Sequence, residues 1–291
     1  MTVTSSAVGL ENLKLPKITL KGTQETLFIT LFGRYLDSLR KDPILNDQLV
    51  GPILKQVDYD FAKLGVGEGT ACSIATRSRQ FDIWAQDFLD KHKLATVVHM
   101  ACGLDTRAHR LKWGSQVRWI DVDLPEVVEL RKQLVAPPKW YMVDYYLVAG
   151  SAIDANFIKS LPNERPTLII MEGLSIYLKP EEGKKMMVEY AKHFREGEIL
   201  MDSVNSLTLS LQRIFAYVRN FSSPLLWAID EPKEMEKLHW KLKLEEAKPL
   251  CTLNTISRFP LGPRIFMWIS SLFSATRNTV RYLRYSYSIE Y

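Results

Sequence analysis

Between residues 95 and 201 five short apolar runs recur, each but the last followed by a segment of helical character. That alternation constrains the fold more than any other feature of the chain. The runs are 95–100 (ATVVHM), 117–122 (VRWIDV), 140–143 (WYMV), 167–171 (TLIIM) and 198–201 (EILM). Most are rich in β-branched or other apolar residues and too short for helices, so they read as buried strands. The intervening segments, 106–112, 125–135, 153–160 and 180–194, read as helices. In the last of these Met186, Met187, Tyr190, Ala191 and Phe194 form one apolar stripe, the pattern of a helix packed on a sheet. Strands alternating with helices predict an α/β fold, a doubly wound and mostly parallel sheet. In such sheets ligands bind beyond the carboxyl ends of the strands, which directs attention to the residues after 100, 122, 143 and 171.

The flanks divide the chain further. Residues 1–20 lack periodicity and are expected to be loosely ordered. From 22 to 91 the pattern is helical, with Leu27, Leu31, Tyr35 and Leu39 spaced by four and Phe81, Trp84, Ala85 and Phe88 on one face of a second helix over 70–91. This segment is expected to cap the sheet. The core spans 95–204. Residues 205–248, with Phe215, Tyr217, Phe221 and Trp227, read as a helical lid, and 249–291 as closing strands, the tail from Thr279 onward alternating as an antiparallel strand does. All are parts of one domain.

Composition excludes several functions. The 38 basic and 33 acidic side chains leave a net charge of +5, but the cations are scattered. Nucleic-acid binding calls for a concentrated basic stripe, so none is expected. Three widely separated cysteines, Cys72, Cys102 and Cys251, offer neither zinc spacing nor a disulfide framework, and no metal is expected. The first fifteen residues lack a signal-peptide pattern. The most apolar stretch, 265–273 (IFMWISSLF), is too short to span a bilayer. It reads as a buried helix or a lid over an apolar pocket, with a membrane-surface helix as the second reading. The expected compartment is the cytoplasm.

The strand ends carry the chemistry. The first runs into Ala101-Cys102-Gly103, a small-residue turn that lets a ligand approach the backbone; an ordinary βα turn is the competing explanation. The second ends in Asp121-Val122-Asp123. Asp123 stands twenty residues after Gly103, where nucleotide-binding sheets place an acid on the ribose hydroxyls, although it is equally placed to cap the helix that starts at Pro125. Period-two alternation puts Asp121 on the same side, leaving open which acid faces the ribose. The third ends at Asp144-Tyr145, able to meet an adenine amino group, and the fourth at Glu172-Gly173. A small-residue turn followed by acids at three successive strand ends is far more specific than any one of them.

These residues resemble the leucine carboxyl methyltransferase family, and within it the branch of polyketide-type O-methyltransferases of secondary metabolism. The resemblance rests on RSRQFD at 77–82, GLDTR at 103–107 with Arg110-Leu111, DVDLPEV at 121–127, Val143-Asp144, PTLIIMEG at 166–173 and YLKPE at 177–181. It covers about residues 24–205 and fades afterwards. It implies a class I, Rossmann-like methyltransferase fold and S-adenosyl-L-methionine as cofactor. It further implies that Arg77 holds the cofactor's methionine carboxylate, that Ala101 to Gly103 form the turn beneath methionine and ribose, and that Asp123, with Asp121 as the less favoured neighbour, binds the ribose. Asp144 and Tyr145 would stand at the adenine and Glu172 near the methionine end, while Asp105 and Arg107 form a structural pair. The chain departs from the family's Gly-Ala-Gly with Ala101-Cys102-Gly103, and an alanine there is costly only at positive φ.

The reaction expected is methyl transfer to an oxygen of a small carboxylate, phenol or enol. No histidine sits in a motif that marks a base, and no catalytic residue is named. Two other readings stay open: methylation of a protein's C-terminal carboxylate, and a methyltransferase-like scaffold without catalysis. The oligomeric state is not legible.

Overall fold

A computed structural model of the chain describes residues 25–138, 144–212 and 224–289. Three helices come first, α1 (Glu25–Ser38), α2 (Val50–Leu54) and α3 (Glu68–Lys91). The sheet follows, with β1 (Ala95–Met100), β2 (Val117–Asp123), β3 (Asp144–Ala149), β4 (Thr167–Met171) and β5 (Gly197–Val204). Between these strands run α4 (Arg107–Arg110), α5 (Pro125–Leu134), α6 (Ala155–Ser160) and α7 (Pro180–His193). After β5 come α8 (Ser206–Leu211), β6 (Leu242–Pro249), α9 (Leu261–Leu272) and β7 (Val280–Tyr287).

The seven strands lie in the order β3-β2-β1-β4-β5-β7-β6. The first five are parallel, and β7 runs antiparallel between β5 and β6. Every residue of β1 and β4 is buried, as expected where helices cover both faces of a parallel sheet. On one face α6 and α7 bury Ile158, Met186, Met187 and Tyr190 against the sheet. On the other α3 buries Phe81, Trp84 and Phe88 against Trp119 and Tyr282. Each such side chain contributes about 1.5–3 kcal/mol on full burial. A third cluster joins α1 and α2 to α5 through Phe28, Leu31, Ile53 and Leu130. The chain order reverses between β1 and β4, which opens a crevice at their carboxyl ends.

Most expected elements stand within a few residues of their sequence positions, and the tail closes the sheet as an antiparallel strand. Other expectations are corrected. The third strand was expected over 140–143, of which nothing lies in the described residues; β3 begins at Asp144, where the strand was expected to end. Pairing with β2 from Arg118↔Asp144 to Asp123↔Ala149 fixes that register. The span 205–248 is not continuously helical. It holds α8, a 3-10 segment at Pro232–Leu238 and most of β6; Phe215, Tyr217 and Phe221 lie outside the described residues. Trp227 is a core residue lying flat over Gly183, where an added Cβ would come within 2.0 Å of the indole. The stretch 265–273 takes the lid alternative and not the buried one: α9 covers a cavity mouth with one edge and exposes the rest. Leu39 also turns outward, 63% exposed.

Candidate active site

A cavity of about 950 Å³ opens at the carboxyl ends of β1, β2, β3, β4 and β5. Its floor is the turn after β1, where Ala101 and Gly103 both adopt left-handed backbone, φ 51° and 49°. The alanine is therefore in the conformation that costs an L-residue about 1–2 kcal/mol. The turn is held by its neighbours. The Cys102 N–H donates to the Val122 carbonyl (3.0 Å), and the Gly103 N–H donates to Asp123 Oδ2 (2.7 Å). The cavity remains open past the Ala101 methyl, and Cys102 is buried with its thiol near the Gly103 carbonyl.

The two candidate ribose acids separate. Asp123 lines the cavity; Oδ2 receives Gly103 N–H and Oδ1 receives Leu124 N–H at 2.8 Å. Each oxygen retains a further lone pair for a hydroxyl donor. Burial pushes its carboxyl up, against the pull of those two amides. Asp121 is wholly buried behind the turn. It accepts from Arg131 (2.6 Å), the Trp119 indole N–H (2.8 Å) and the Tyr145 hydroxyl (2.8 Å), with His99 Nδ1 at 3.2 Å. Arg131 also donates to the Gly103 and Asp105 carbonyls, so Asp121 anchors the turn through a guanidinium. Arg131, despite the opposing cost of burial, holds the Asp121 carboxyl far below the usual carboxylate range.

His99 lines the cavity but is spoken for. Arg107 has only donors, so the 3.3 Å contact to His99 Nε2 makes that nitrogen the acceptor. The ring proton then sits on Nδ1, facing Asp121.

Asp144 and Tyr145 do not reach the cavity, which corrects their expected place at an adenine. Asp144 opens β3 at the amino end of the sheet and pairs with Arg118 at 3.0 Å. Five residues of strand, about 17 Å, separate it from the carboxyl end. Tyr145 turns inward onto Asp121. The residues that β3 does bring to the cavity are Gly150, Ser151 and Ala152. Sequence reading missed them because it stopped the strand too early; a small-residue turn was their signal.

Arg77, on α3, stands where β4 and β5 end. Its Nε donates to Glu172 Oε1 (3.0 Å) and Nη1 to Asp202 Oδ2 (2.9 Å). Nη2 carries no hydrogen bond to the described residues and borders Gly173 (φ 71°), where an added Cβ would lie 3.3 Å away. Glu172 also accepts from Ser78 Oγ (2.8 Å) and Arg107 Nη2 (2.5 Å). Although burial pushes its carboxyl up, Arg107 and Arg77 bring it down to about 2. Arg107 is completely buried and continues to Asp82 at 2.7 Å and Asp105 at 3.2 Å, the structural pairing expected from the sequence. Asp202 was missed because β5 was ended at Met201; it lies two residues before the strand's end at Val204 and lines the cavity. Burial pushes its carboxyl up, against Arg77 and the Gly173 N–H.

Away from these charges the cavity is largely apolar, walled by Leu174, Ile176, Leu178, Leu211, Leu225 and Met267, with Thr208, Cys251 and Arg277 among them. At about 950 Å³ it stands at the upper end of the range of about 300–1,000 Å³ for ligand pockets. Among the described residues no cluster could hold a metal ion and no helix is long and apolar enough to cross a membrane.

This sheet order, with its cavity at the β1/β4 reversal, is the architecture of class I S-adenosylmethionine-dependent methyltransferases. A structure from Thermobifida fusca YX described as a methyltransferase superposes with a TM-score of 0.57 at 16% identity, covering 92% of this chain and 96% of that one. The chain belongs to the leucine carboxyl methyltransferase family, whose signature matches residues 28–190. It is 33% identical over 79% of its length to the tetracenomycin polyketide synthesis O-methyltransferase of Streptomyces glaucescens, covering 83% of that protein. It is also 33% identical over 76% of its length to an S-adenosyl-L-methionine-dependent methyltransferase of Gibberella zeae, covering 80% of that one. It is an S-adenosylmethionine-dependent methyltransferase. The donor set fits that cofactor: a guanidinium beside carboxylates for a zwitterionic end, and a free-edged acid at the second strand for a diol.

Proposed function

We propose that this enzyme methylates an oxygen of a small, largely apolar acceptor in the cytoplasm, in secondary metabolism of the polyketide type. The observation that carries it is one continuous cavity with a charged end at the sheet and an apolar end beneath α8 and α9. The similarity to a polyketide O-methyltransferase supports the same reading.

In this reading the Arg77 Nη2 edge takes the cofactor's carboxylate, a geometry for which a forked guanidinium is suited. Asp202 faces the adjoining ammonium, and Glu172 holds Arg77 in place through Nε. Asp123 accepts from the ribose hydroxyls. Ala101 and Gly103 supply the close-approach backbone, and Gly150 to Ala152 take the adenine side in place of Asp144 and Tyr145. Asp121 supports the turn from behind. Held by these residues, the cofactor would supply an electrophilic methyl on sulfur to the acceptor oxygen. What the chain provides is proximity and water exclusion, effects that can account for about 7–11 kcal/mol of a barrier. His99 is committed to Arg107 and Asp121 and cannot serve as a base. An acceptor that yields its proton readily, a carboxylate or an acidic phenol or enol, needs no base from His99.

The test is incubation with isotope-labelled S-adenosylmethionine and a panel of aromatic acids, phenols and a C-terminal peptide. Label appearing in an ester or aryl ether of a small acceptor supports the reading. Label confined to the peptide, or to a nitrogen or carbon, contradicts it.

A further inference from the structure

Seven large apolar side chains stand exposed between residues 261 and 273, among them Phe266 (65%), Trp268 (62%), Leu272 (58%) and Phe273 (62%). Only Ser270 of α9 is buried. At 3.6 residues per turn, Leu261, Ile265, Phe266, Trp268, Ile269 and Leu272 fall within an arc of about 160°, so the exposure is one coherent face. Pro263 packs back toward Gly69, Met267 and Ser270 face the cavity, and Phe266 and Arg277 border its mouth. Beyond Phe266 at the mouth, nothing in the catalytic reading uses the outer face.

The charge around it is one-sided. From 247 to 289 the chain carries no Asp or Glu, but Lys248, Arg258, Arg264, Arg277, Arg281 and Arg284. Arg264, on the rim of the apolar arc, and Arg277, just past its end, are exposed and make no ion pair among the described residues. Two acids of the amino-terminal helical segment are committed, Asp42 to Arg258 at 3.2 Å and Glu68 to Arg40.

We propose that the outer face of α9 docks the enzyme on an anionic lipid surface, with Trp268, Ile269 and Leu272 entering the headgroup boundary and Arg264 and Arg277 meeting lipid phosphates. An apolar helical face rimmed by cations with an aromatic at its centre is the composition of an interfacial helix. A second copy fits the face less well. Pairing α9 with itself would oppose the arginines of both copies with no acid in the segment to match them, and would close the cavity over Phe266. Lipid docking instead turns the mouth toward the bilayer, where an apolar acceptor concentrates; that consequence alone rests on the acceptor class proposed above.

The test is flotation of the full chain, without cofactor or acceptor, on vesicles of phosphatidylcholine alone or mixed with phosphatidylglycerol. Binding is expected to be strong on the mixed vesicles and weak on the neutral ones. The double variant Trp268→Ser/Ile269→Ser is expected to lose more than about tenfold in partitioning, and Arg264→Gln about fivefold on anionic vesicles only. Both variants should keep the wild-type melting profile, since the side chains are exposed. Equal partitioning on neutral and anionic vesicles overturns the proposal, as does a double variant that binds like the wild type. So does a dimer by light scattering that the double variant abolishes, which would assign the face to a second copy. Because no acceptor is present, failure here leaves the methyl-transfer reading standing, and failure of that reading leaves vesicle binding unchanged.

Discussion

The two ends of the cavity are built on opposite principles. At the sheet, Arg77, Glu172, Arg107, Asp82 and Asp105 are paired with one another, and the positions they set are fixed by charge. At the mouth, Ile176, Leu211, Leu225 and Met267 offer apolar surface with no direction to it. Buried ion pairs are costly to form and costlier to break singly, so the first end tolerates little change. Apolar walls tolerate exchange, at the cost of the area lost. The contrast teaches where chemistry and where specificity reside: a constant cofactor is met by a rigid charged lattice, and a variable acceptor by a surface that can be reshaped.

The largest effect should come from breaking the charged end. Arg107→Leu leaves Glu172, Asp82 and Asp105 short of a buried partner. It should cost about 3–5 kcal/mol, a fall in melting temperature on the order of 10 °C, measured by calorimetry or circular dichroism. A change of under a degree would show that the lattice is dispensable.

Next comes acid sensitivity. The Glu172 carboxyl lies at about 2 in the folded chain against 4.5 when unpaired. Its folded value is depressed, so its contribution is complete above the unfolded value and is lost as pH falls from about 4.5 toward 2. The difference corresponds to about 3 kcal/mol. Urea midpoints measured across that window should fall steeply for the wild type and less so for Glu172→Gln.

The mouth should respond differently. Ile176→Ser should raise the acceptor KM about three- to tenfold with cofactor affinity unchanged, read from initial rates and a separate cofactor titration. Equal losses of both would erase the division between the two ends. The smallest effect sharpens the picture at the turn. Ala101→Gly relieves the left-handed strain and should stabilise the fold by up to about 1 kcal/mol, seen as a higher urea midpoint at unchanged slope.

The same contrast governs what could be read from the amino-acid order. β1 and β4 are legible to the residue because central parallel strands are buried on both faces and leave unbroken apolar runs. β3 is the edge strand, with only intermediate and exposed positions. No burial signature marks it, so its register slid and carried Asp144 and Tyr145 to the wrong end. Asp123 was singled out by its spacing from Gly103 and Arg77 by the family resemblance, and both line the cavity, whereas Asp202 was hidden by a strand closed three residues early. The outward face of α9 was legible only as a second reading, since an apolar helix reads alike whether it packs on protein or faces outward.

The most direct measurement is calorimetric titration of S-adenosylhomocysteine into the wild type, Asp123→Ala and Asp144→Ala. Placing the cofactor at the carboxyl ends of β1, β2 and β3 predicts at least about a tenfold loss of affinity for Asp123→Ala and none for Asp144→Ala. Loss at Asp144 with Asp123→Ala binding as tightly as the wild type would contradict that placement.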